Sequence, residues 1–155
     1  MTTTHPSTDS LPENPVASDP GSHAFLILSL ISLVLGMAML VGQSTTLLSS
    51  PLTPSGQGWV NLMIYGCAFS GIFGLCYRAL PLVFATPLFS RPLVFIHLAF
   101  HVIGTGLILA NFPAIGLASG LFGPILVFCG AFIFAANIGL ALNRVALPDA
   151  ATAFL

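Results

Sequence analysis

Two histidines four residues apart, His97 and His101, offer the clearest chemistry in this sequence. In a helix, residues at this spacing lie on one face with their Cβ atoms about 6 Å apart. Such a pair presents two imidazoles to one ion, as in helical zinc sites. We therefore predict His97 and His101 as cofactor-binding and metal-binding residues, with haem and copper as the candidate cofactors.

Each cofactor would use the pair differently. Two residues on one helix face cannot reach opposite faces of a porphyrin, so haem iron would take one histidine and complete its ligands elsewhere. Copper could add soft sulfur ligands, since Met63 and Cys67 are also four residues apart and Met37 and Met39 lie in another apolar run. Core packing is the competing interpretation of these sulfur side chains.

Other catalytic motifs are absent from the sequence. It contains no Gly-rich phosphate loop, no Ser/His/Asp trio within reach and no paired carboxylates. We predict no catalytic residues, and this interpretation leans against an enzyme that works alone. The three cysteines have no CxxC spacing, which favours free, buried thiols over a disulfide framework.

The composition of the chain indicates the kind of protein that holds these histidines. Of 155 residues, 5% are charged and 56% are hydrophobic, and the mean hydropathy is +1.03. Soluble domains carry about 25% charged residues, so this composition argues against a soluble enzyme, a nucleic-acid binder and a disordered regulator. We predict an integral membrane protein whose surroundings are the lipid bilayer, with no nucleic-acid partner.

Four apolar runs each approach the ~20 residues that span a bilayer as a helix. The predicted fold is an all-α, integral membrane four-helix bundle over residues 24–143. Its helices are expected at about 24–42, 59–80, 92–112 and 117–142. The second helix is expected to stop at Pro81, and the fourth to bend at Pro124.

The chain ends and the loops carry the charged residues. Residues 1–23, rich in Pro, Ser and Thr, are expected to form a disordered tail, and residues 144–155 a short C-terminal tail. Three arginines lie at one end of the predicted bundle: Arg78, Arg91 and Arg144. Because cytoplasmic loops hold the excess of Lys and Arg, both termini are predicted to be cytoplasmic, with Tyr77 as an anchor in the inner headgroup zone.

A rise of 1.5 Å per residue places several polar side chains at similar depths in the membrane. On this scale we predict a buried polar layer in which Ser32, Ser70 and Asn137 are the partners of His97 and His101. Interhelical hydrogen bonding, worth about 0.6 to 2 kcal/mol per contact, would explain the layer without any ligand. A proton or solute path is a third interpretation, although no Asp or Glu lies in any predicted span.

Small residues spaced four apart mark the predicted helix contacts, since they let helix backbones approach closely. In the second helix these residues are Gly66, Ser70 and Gly74, and in the fourth they are Ala131, Ala135 and Gly139. The stripes predict a compact bundle and identify no ligand.

Two runs of the sequence carry a family resemblance. YGCAFSGIFGLCYRALP (Tyr65–Pro81), followed after a short link by RPLVFIHLAFHVIG (Arg91–Gly104), resembles small four-helix bacterial membrane proteins. These proteins are related to subunit I of haem–copper, cbb3-type cytochrome c oxidases. The shared pattern is Gly66, Gly74-x-x-Tyr77 and Pro81, then a helix with His97, His101 and Gly104. Such proteins also carry a His-x-His near the start of helix two, where this chain has Trp59 and Asn61.

The resemblance implies a respiratory-chain protein of the bacterial inner membrane, with autonomous redox catalysis in question because the His-x-His is missing. His97 and His101 are the matched histidines. The predicted function is an accessory or haem- or metal-binding protein whose partners are respiratory-complex subunits or further copies of the chain. Two alternatives stay open: a small oligomeric transporter or channel subunit, and a purely structural subunit of a larger membrane complex.

Overall fold

The computed structural model describes residues 20–49, 53–84, 86–110 and 121–144. Within these ranges the regular elements are all helices: α1 (Pro20–Gly42), α2 (Ser44–Ser49), α3 (Pro54–Phe84), α4 (Arg91–Ala110) and α5 (Phe122–Leu142). Four of them, α1, α3, α4 and α5, are long and apolar enough to cross a membrane. This confirms the all-helical, multi-pass fold predicted from the apolar runs.

Helix α1 begins at Pro20, inside the range predicted for the disordered tail. Proline suits a first helical turn because its missing N–H would have no acceptor there. Gly21 and Ser22 are buried, so tertiary packing also extends the helix toward the N-terminus. The tail prediction is therefore corrected for residues 20–23, while residues 1–19 and 145–155 lie outside the described part of the chain.

Helix α3 is longer at both ends than the predicted 59–80. At its start, the Gly56 N–H donates to Oγ1 of Thr53 at 3.2 Å, and Pro54 occupies the first turn. At its end, the helix passes through Pro81 to Phe84 instead of stopping at Pro81. One proline so close to a C-terminus removes a single backbone bond, and the last turn still forms.

The middle of α3, Leu62–Phe69, is a π-helix. π-helical turns are rare, widen the helix and often occur at functional sites. Regular α-helix resumes at Ser70 and continues to Phe84. The wider segment changes which residues of α3 face the interior.

Helix α5 begins at Phe122, later than the predicted residue 117, and residues 111–120 lie outside the described ranges. Pro124 therefore falls in the first turn of α5, where its missing N–H needs no intrahelical acceptor. The bend predicted at Pro124 has no physical cause at this position.

The contact between α1 and α3 uses the predicted small residues of the second helix. A Cβ placed on Gly66 would lie 2.6 Å from Oγ of Ser32, and one on Gly74 would lie 2.9 Å from the Leu26 side chain. The stripe on α3 is thus confirmed as a close helix contact.

Helix α5 packs against α4 through a different face from the predicted one. Ala135 and Gly139 are exposed, and a Cβ on Gly139 would meet open space. The contact instead uses Gly123, whose carbonyl would lie 2.8 Å from a Cβ on Gly104, together with Gly130. The predicted stripe on the fourth helix was wrong because spacing alone does not identify which of several faces points inward.

The end of α5 lies against the connection between α3 and α4. The guanidinium carbon of Arg144 is 4.4 Å from the centroid of the Phe89 ring. Arg144 therefore lies at the same end of the bundle as Arg91, as the sequence predicted. Which side of the membrane this end faces stays a prediction.

Candidate functional site

His97 and His101 lie on the inward face of α4, and both side chains are 0% exposed. The same face continues through residues at helical spacing that are also buried: Val94, Gly104, Thr105 and Ile108. Ionisable groups inside a membrane bundle are costly and usually face the protein interior. The structure therefore places the predicted pair where a site could form.

The hydrogen bonds around His101 define which of its ring nitrogens carries the proton. Nε2 of His101 is 3.0 Å from the carbonyl oxygen of Tyr65 and 3.0 Å from Oγ of Ser70. The Ser70 hydroxyl itself donates to the same Tyr65 carbonyl at 3.3 Å. Because a carbonyl oxygen can only accept, Nε2 of His101 is the donor, and Nδ1 is the unprotonated nitrogen of the neutral ring.

The acceptor for His101 comes from the π-helical segment of α3. Tyr65 lies in the middle of that segment, and the backbone N–H of Ser70 bonds to the Cys67 carbonyl. The Tyr65 carbonyl accepts from two side chains, those of Ser70 and His101. No sequence signal predicted this segment, so the role of the Tyr65 carbonyl was missed.

The partner of His97 is Tyr77, whose hydroxyl lies 3.0 Å from Nδ1 of His97. Tyr77 is 1% exposed, which corrects its predicted role as an anchor in the headgroup zone. The sequence did contain a usable signal. Tyr77 follows Ser70 by seven residues, or two turns, and so shares its inward face.

Three phenylalanines, one from each of the other long helices, surround the imidazoles. The ring centroid of Phe25 in α1 is 4.7 Å from that of His97 and 5.8 Å from that of His101. Phe73 in α3 is 4.6 Å and 5.5 Å from the same two rings. Phe134 in α5 is 5.7 Å from His97. We call these three residues the phenylalanine cage.

The structure brings one predicted polar partner, Ser70, to the histidines and gives the other two different contacts. Ser32, 4% exposed, packs against Gly66 in the contact between α1 and α3. Asn137 pairs with the backbone of Ser90: its Oδ1 accepts from the Ser90 N–H and its Nδ2 donates to the Ser90 carbonyl, both at 3.0 Å. The prediction for Ser32 and Asn137 was wrong because the rise of 1.5 Å per residue gives only the depth of a residue along its helix. It does not give the direction in which the side chain points around the helix axis.

Each imidazole keeps one nitrogen without a hydrogen bond. In the described residues, Nε2 of His97 and Nδ1 of His101 are buried and have no partner. The ring centroids are 6.0 Å apart, with an interplanar angle of 76°. A Cβ on Gly130 would lie 3.0 Å from Cδ2 of His97, so glycine leaves room for this side of the ring against α5.

The predicted sulfur ligands do not join the pair. Met63 packs against Gly36 between α1 and α3, as a flexible core side chain does. The carbonyl of Cys67 accepts from Ser29 at 2.8 Å in the same contact. Across the described ranges, no cluster of three or more His, Cys, Asp or Glu could hold a metal.

The packing around the pair bears on both candidate cofactors. A single ion would bind at the two unpartnered nitrogens, whereas a porphyrin would require part of the phenylalanine cage to move, since those rings already contact the imidazoles. An open cavity of about 540 Å³ lies nearby between α3 and α5, and Phe73 is one of its lining residues.

Fold and site together define a multi-pass, all-helical protein with a buried histidine pair. Comparison of the chain with protein-family models, with curated proteins and with solved structures finds no match. The resemblance to oxidase subunit I thus rests on the sequence runs alone and stays a prediction.

Proposed function

We propose that this protein binds one transition-metal ion at His97 and His101 inside its membrane bundle. We further propose that it acts as an accessory component of a larger respiratory membrane complex and not as an enzyme by itself. One observation carries the metal site: each imidazole has one nitrogen held by oxygen groups of α3, while the other nitrogen is buried without a partner.

This division of roles within each ring is typical of metal-binding histidines. A ligating histidine usually donates its second N–H to a carbonyl or another oxygen, which fixes the tautomer and the ring orientation. The Tyr65 carbonyl and the Ser70 hydroxyl serve His101 in this way, and the Tyr77 hydroxyl serves His97. With the proton on Nδ1, His97 would present a lone pair at Nε2, as His101 does at Nδ1.

The proposal requires the free nitrogens of both rings to bind the same ion. Two metal–nitrogen bonds of about 2.0 to 2.1 Å would place the two nitrogens at most about 4 Å apart. The ring centroids are 6.0 Å apart, so a shared ion requires the free nitrogens of the two rings to face each other across this distance. A bound metal would supply a Lewis-acid or redox centre, while Ser70, Tyr77 and the phenylalanine cage would orient the imidazoles and exclude water.

The surface of the bundle supports an accessory role. Large apolar side chains such as Val41 (79% exposed) and Val83 (73% exposed) cover the outside of the long helices. Such faces can contact lipid or the helices of another membrane subunit. We propose the bacterial inner membrane as the location, with the end that carries Arg91 and Arg144 on the cytoplasmic side.

Metal content of the purified full chain tests the site. The protein is solubilised in mild detergent, its bound copper, zinc and iron are measured, and a reduced-minus-oxidised spectrum is recorded for haem. We expect about one transition-metal ion per chain, lost in the variant His97→Ala/His101→Ala and retained in His23→Ala. His23 is the matched control, because it lies in α1 and has no contact with the pair among the described hydrogen bonds and ring contacts.

A folded preparation that is free of metal, takes up none on titration and binds no haem would overturn the proposed site. Metal retained by the double variant would also overturn it. The accessory role is tested separately by gentle solubilisation at native expression. Co-purification with oxidase subunits is expected, and recovery only as a lone monomer would contradict it.

A further inference from the structure

The open cavity of about 540 Å³ between α3 and α5 has the size of a small-molecule site, since ligand pockets typically measure about 300 to 1,000 Å³. Its α3 side is an aromatic wall, formed by Tyr65, Phe69 and Phe73. The ring centroid of Phe69 is 5.6 Å from that of Tyr65 and 6.1 Å from that of Phe73. The first half of α5 forms the facing side, with Phe128 and Ala131 among its lining residues.

The cavity lies beside the irregular part of α3. Nearer their C-terminal ends α3 and α5 are in contact, because the ring centroid of Phe134 is 4.8 Å from that of Phe73 and 5.1 Å from that of Tyr77. From Phe73 the cavity extends toward the N-terminal ends of both helices, along the π-helical segment Leu62–Phe69. π-helical turns occur frequently at functional sites, which points to a use for this wall.

The surroundings of the cavity restrict the kind of molecule that can enter it. Three of its lining residues, Phe69, Ile125 and Phe128, are also exposed on the outside of the bundle. In a chain that spans the membrane this outside surface meets lipid. None of the described lining residues carries a formal charge. A ligand would therefore enter from the hydrocarbon layer and would have to be lipid-soluble and neutral.

Tyr65 has the only polar side chain among the described residues that line the cavity. Its hydrogen bonds within the described ranges use the backbone carbonyl and leave the hydroxyl without a partner. A hydroxyl in an apolar medium costs free energy unless it forms a hydrogen bond, and tyrosine hydroxyls inside proteins usually find a partner. A ligand with a carbonyl oxygen would supply the missing acceptor.

We infer that this cavity binds a neutral, flat, lipid-soluble ring compound that carries a carbonyl oxygen. The aromatic wall packs against the ligand ring, and the Tyr65 hydroxyl donates to the ligand carbonyl. The acyl chain of a lipid could fill the apolar space, but it has no acceptor for this hydroxyl and no flat face for the aromatic rings. The cavity is separate from the proposed metal site, although Phe73 both lines the cavity and contacts the two imidazoles.

Two probe compounds test the recognition of the carbonyl. 9,10-Anthraquinone and anthracene have the same three fused rings and differ by two carbonyl oxygens. The full chain is placed in lipid nanodiscs, and retention of each probe is measured against empty nanodiscs. We expect about one anthraquinone per chain. Tyr65→Phe should weaken anthraquinone binding about 2- to 10-fold, as the loss of one hydrogen bond does, and should leave anthracene binding unchanged.

A pair of variants on α5 tests the location of the ligand. Ala131→Phe places a large side chain at a lining position and is expected to lower the binding of both probes at least fivefold. The matched control is Ala135→Phe, one helical turn further along α5 at an exposed position away from the cavity lining, which should bind both probes normally. If Ala131→Phe fails to fold, the conservative variant Tyr65→Phe still tests the site.

Retention of anthraquinone at the level of empty nanodiscs would overturn the inference. Anthraquinone binding that is unchanged in Tyr65→Phe would also overturn it and would favour a site for lipid acyl chains. Binding that survives in folded Ala131→Phe would place the ligand elsewhere. Each of these results leaves the proposed metal site standing, because metal content is measured independently, and a metal-free chain that binds anthraquinone as described would retain this inference alone.

Discussion

Oγ of Ser70 and Nε2 of His101 lie 3.0 Å apart and share one acceptor, the carbonyl oxygen of Tyr65. This small network joins α3 to α4 in the bundle interior. It fixes the proton of His101 on Nε2 and leaves Nδ1 for a ligand.

Tyr77→Phe is expected to weaken metal binding without unfolding the protein. The variant keeps the ring that packs against Phe134, but it removes the hydroxyl that orients His97. Loss of such an outer partner typically lowers metal affinity about 10- to 100-fold. Competition titration measures the effect. The control is Tyr65→Phe, which should bind normally because Tyr65 contacts His101 through its backbone carbonyl.

Ser70→Ala is expected to have a smaller effect on binding than Tyr77→Phe. His101 would lose one oxygen contact but keep the Tyr65 carbonyl, so its tautomer would not change. The unfolding free energy should fall by about 0.6 to 2 kcal/mol, the usual value of an interhelical hydrogen bond in a membrane. Reversible unfolding in mixed micelles measures it. A loss of metal binding equal to that of His101→Ala would contradict the assigned tautomer.

Asn137→Ala is expected to reduce stability and leave metal binding unchanged. The side chain closes two hydrogen bonds with the backbone of Ser90, directly before α4 begins at Arg91. Its removal would take these partners from the N–H and the carbonyl of the half-buried Ser90, and each lost hydrogen bond of this kind costs about 0.5 to 1.5 kcal/mol. A thermal shift assay with metal titration separates the two effects. Asn143→Ala, an exposed position near the end of α5, is the control and should match the wild type.

Gly66→Ala is expected to disturb the packing of α1 against α3. The added Cβ would lie 2.6 Å from Oγ and 2.9 Å from Cβ of Ser32, so Ser32 or the helix that carries it must shift. Forcing extra atoms into a packed contact costs typically about 1 to 3 kcal/mol. The matched variant Gly139→Ala adds the same atom where nothing lies within 4 Å. Equal melting temperatures for these two variants would contradict the described helix contact.

Much of the fold could be predicted because membrane helices are long and apolar. The four spans and the inward face of His97 and His101 follow from hydropathy and helical spacing. Ser70 could be placed on the contact face of α3 by the small residues around it. These features depend on residues that are close together in the sequence, so they can be predicted from one sequence alone.

The rest depends on how each helix is rotated about its axis. Ser32 and Asn137 have suitable depths, but their side chains meet Gly66 and Ser90 instead of the histidines. The prediction that Gly139 lies in a helix contact was wrong for the same reason, because Gly139 is on an exposed side of α5. The π-helical turn that contains Tyr65 follows from tertiary packing, and no residue pattern in the sequence predicts it.

X-ray absorption at the metal edge of the loaded full chain shows directly whether imidazole nitrogens bind the ion. We expect multiple-scattering signals from two imidazoles and no sulfur neighbour, with both imidazole signals absent from the His97→Ala/His101→Ala variant. A spectrum dominated by sulfur would instead place the ion at methionine or cysteine side chains. That spectrum, or an unchanged spectrum from the double variant, would contradict a metal site at His97 and His101.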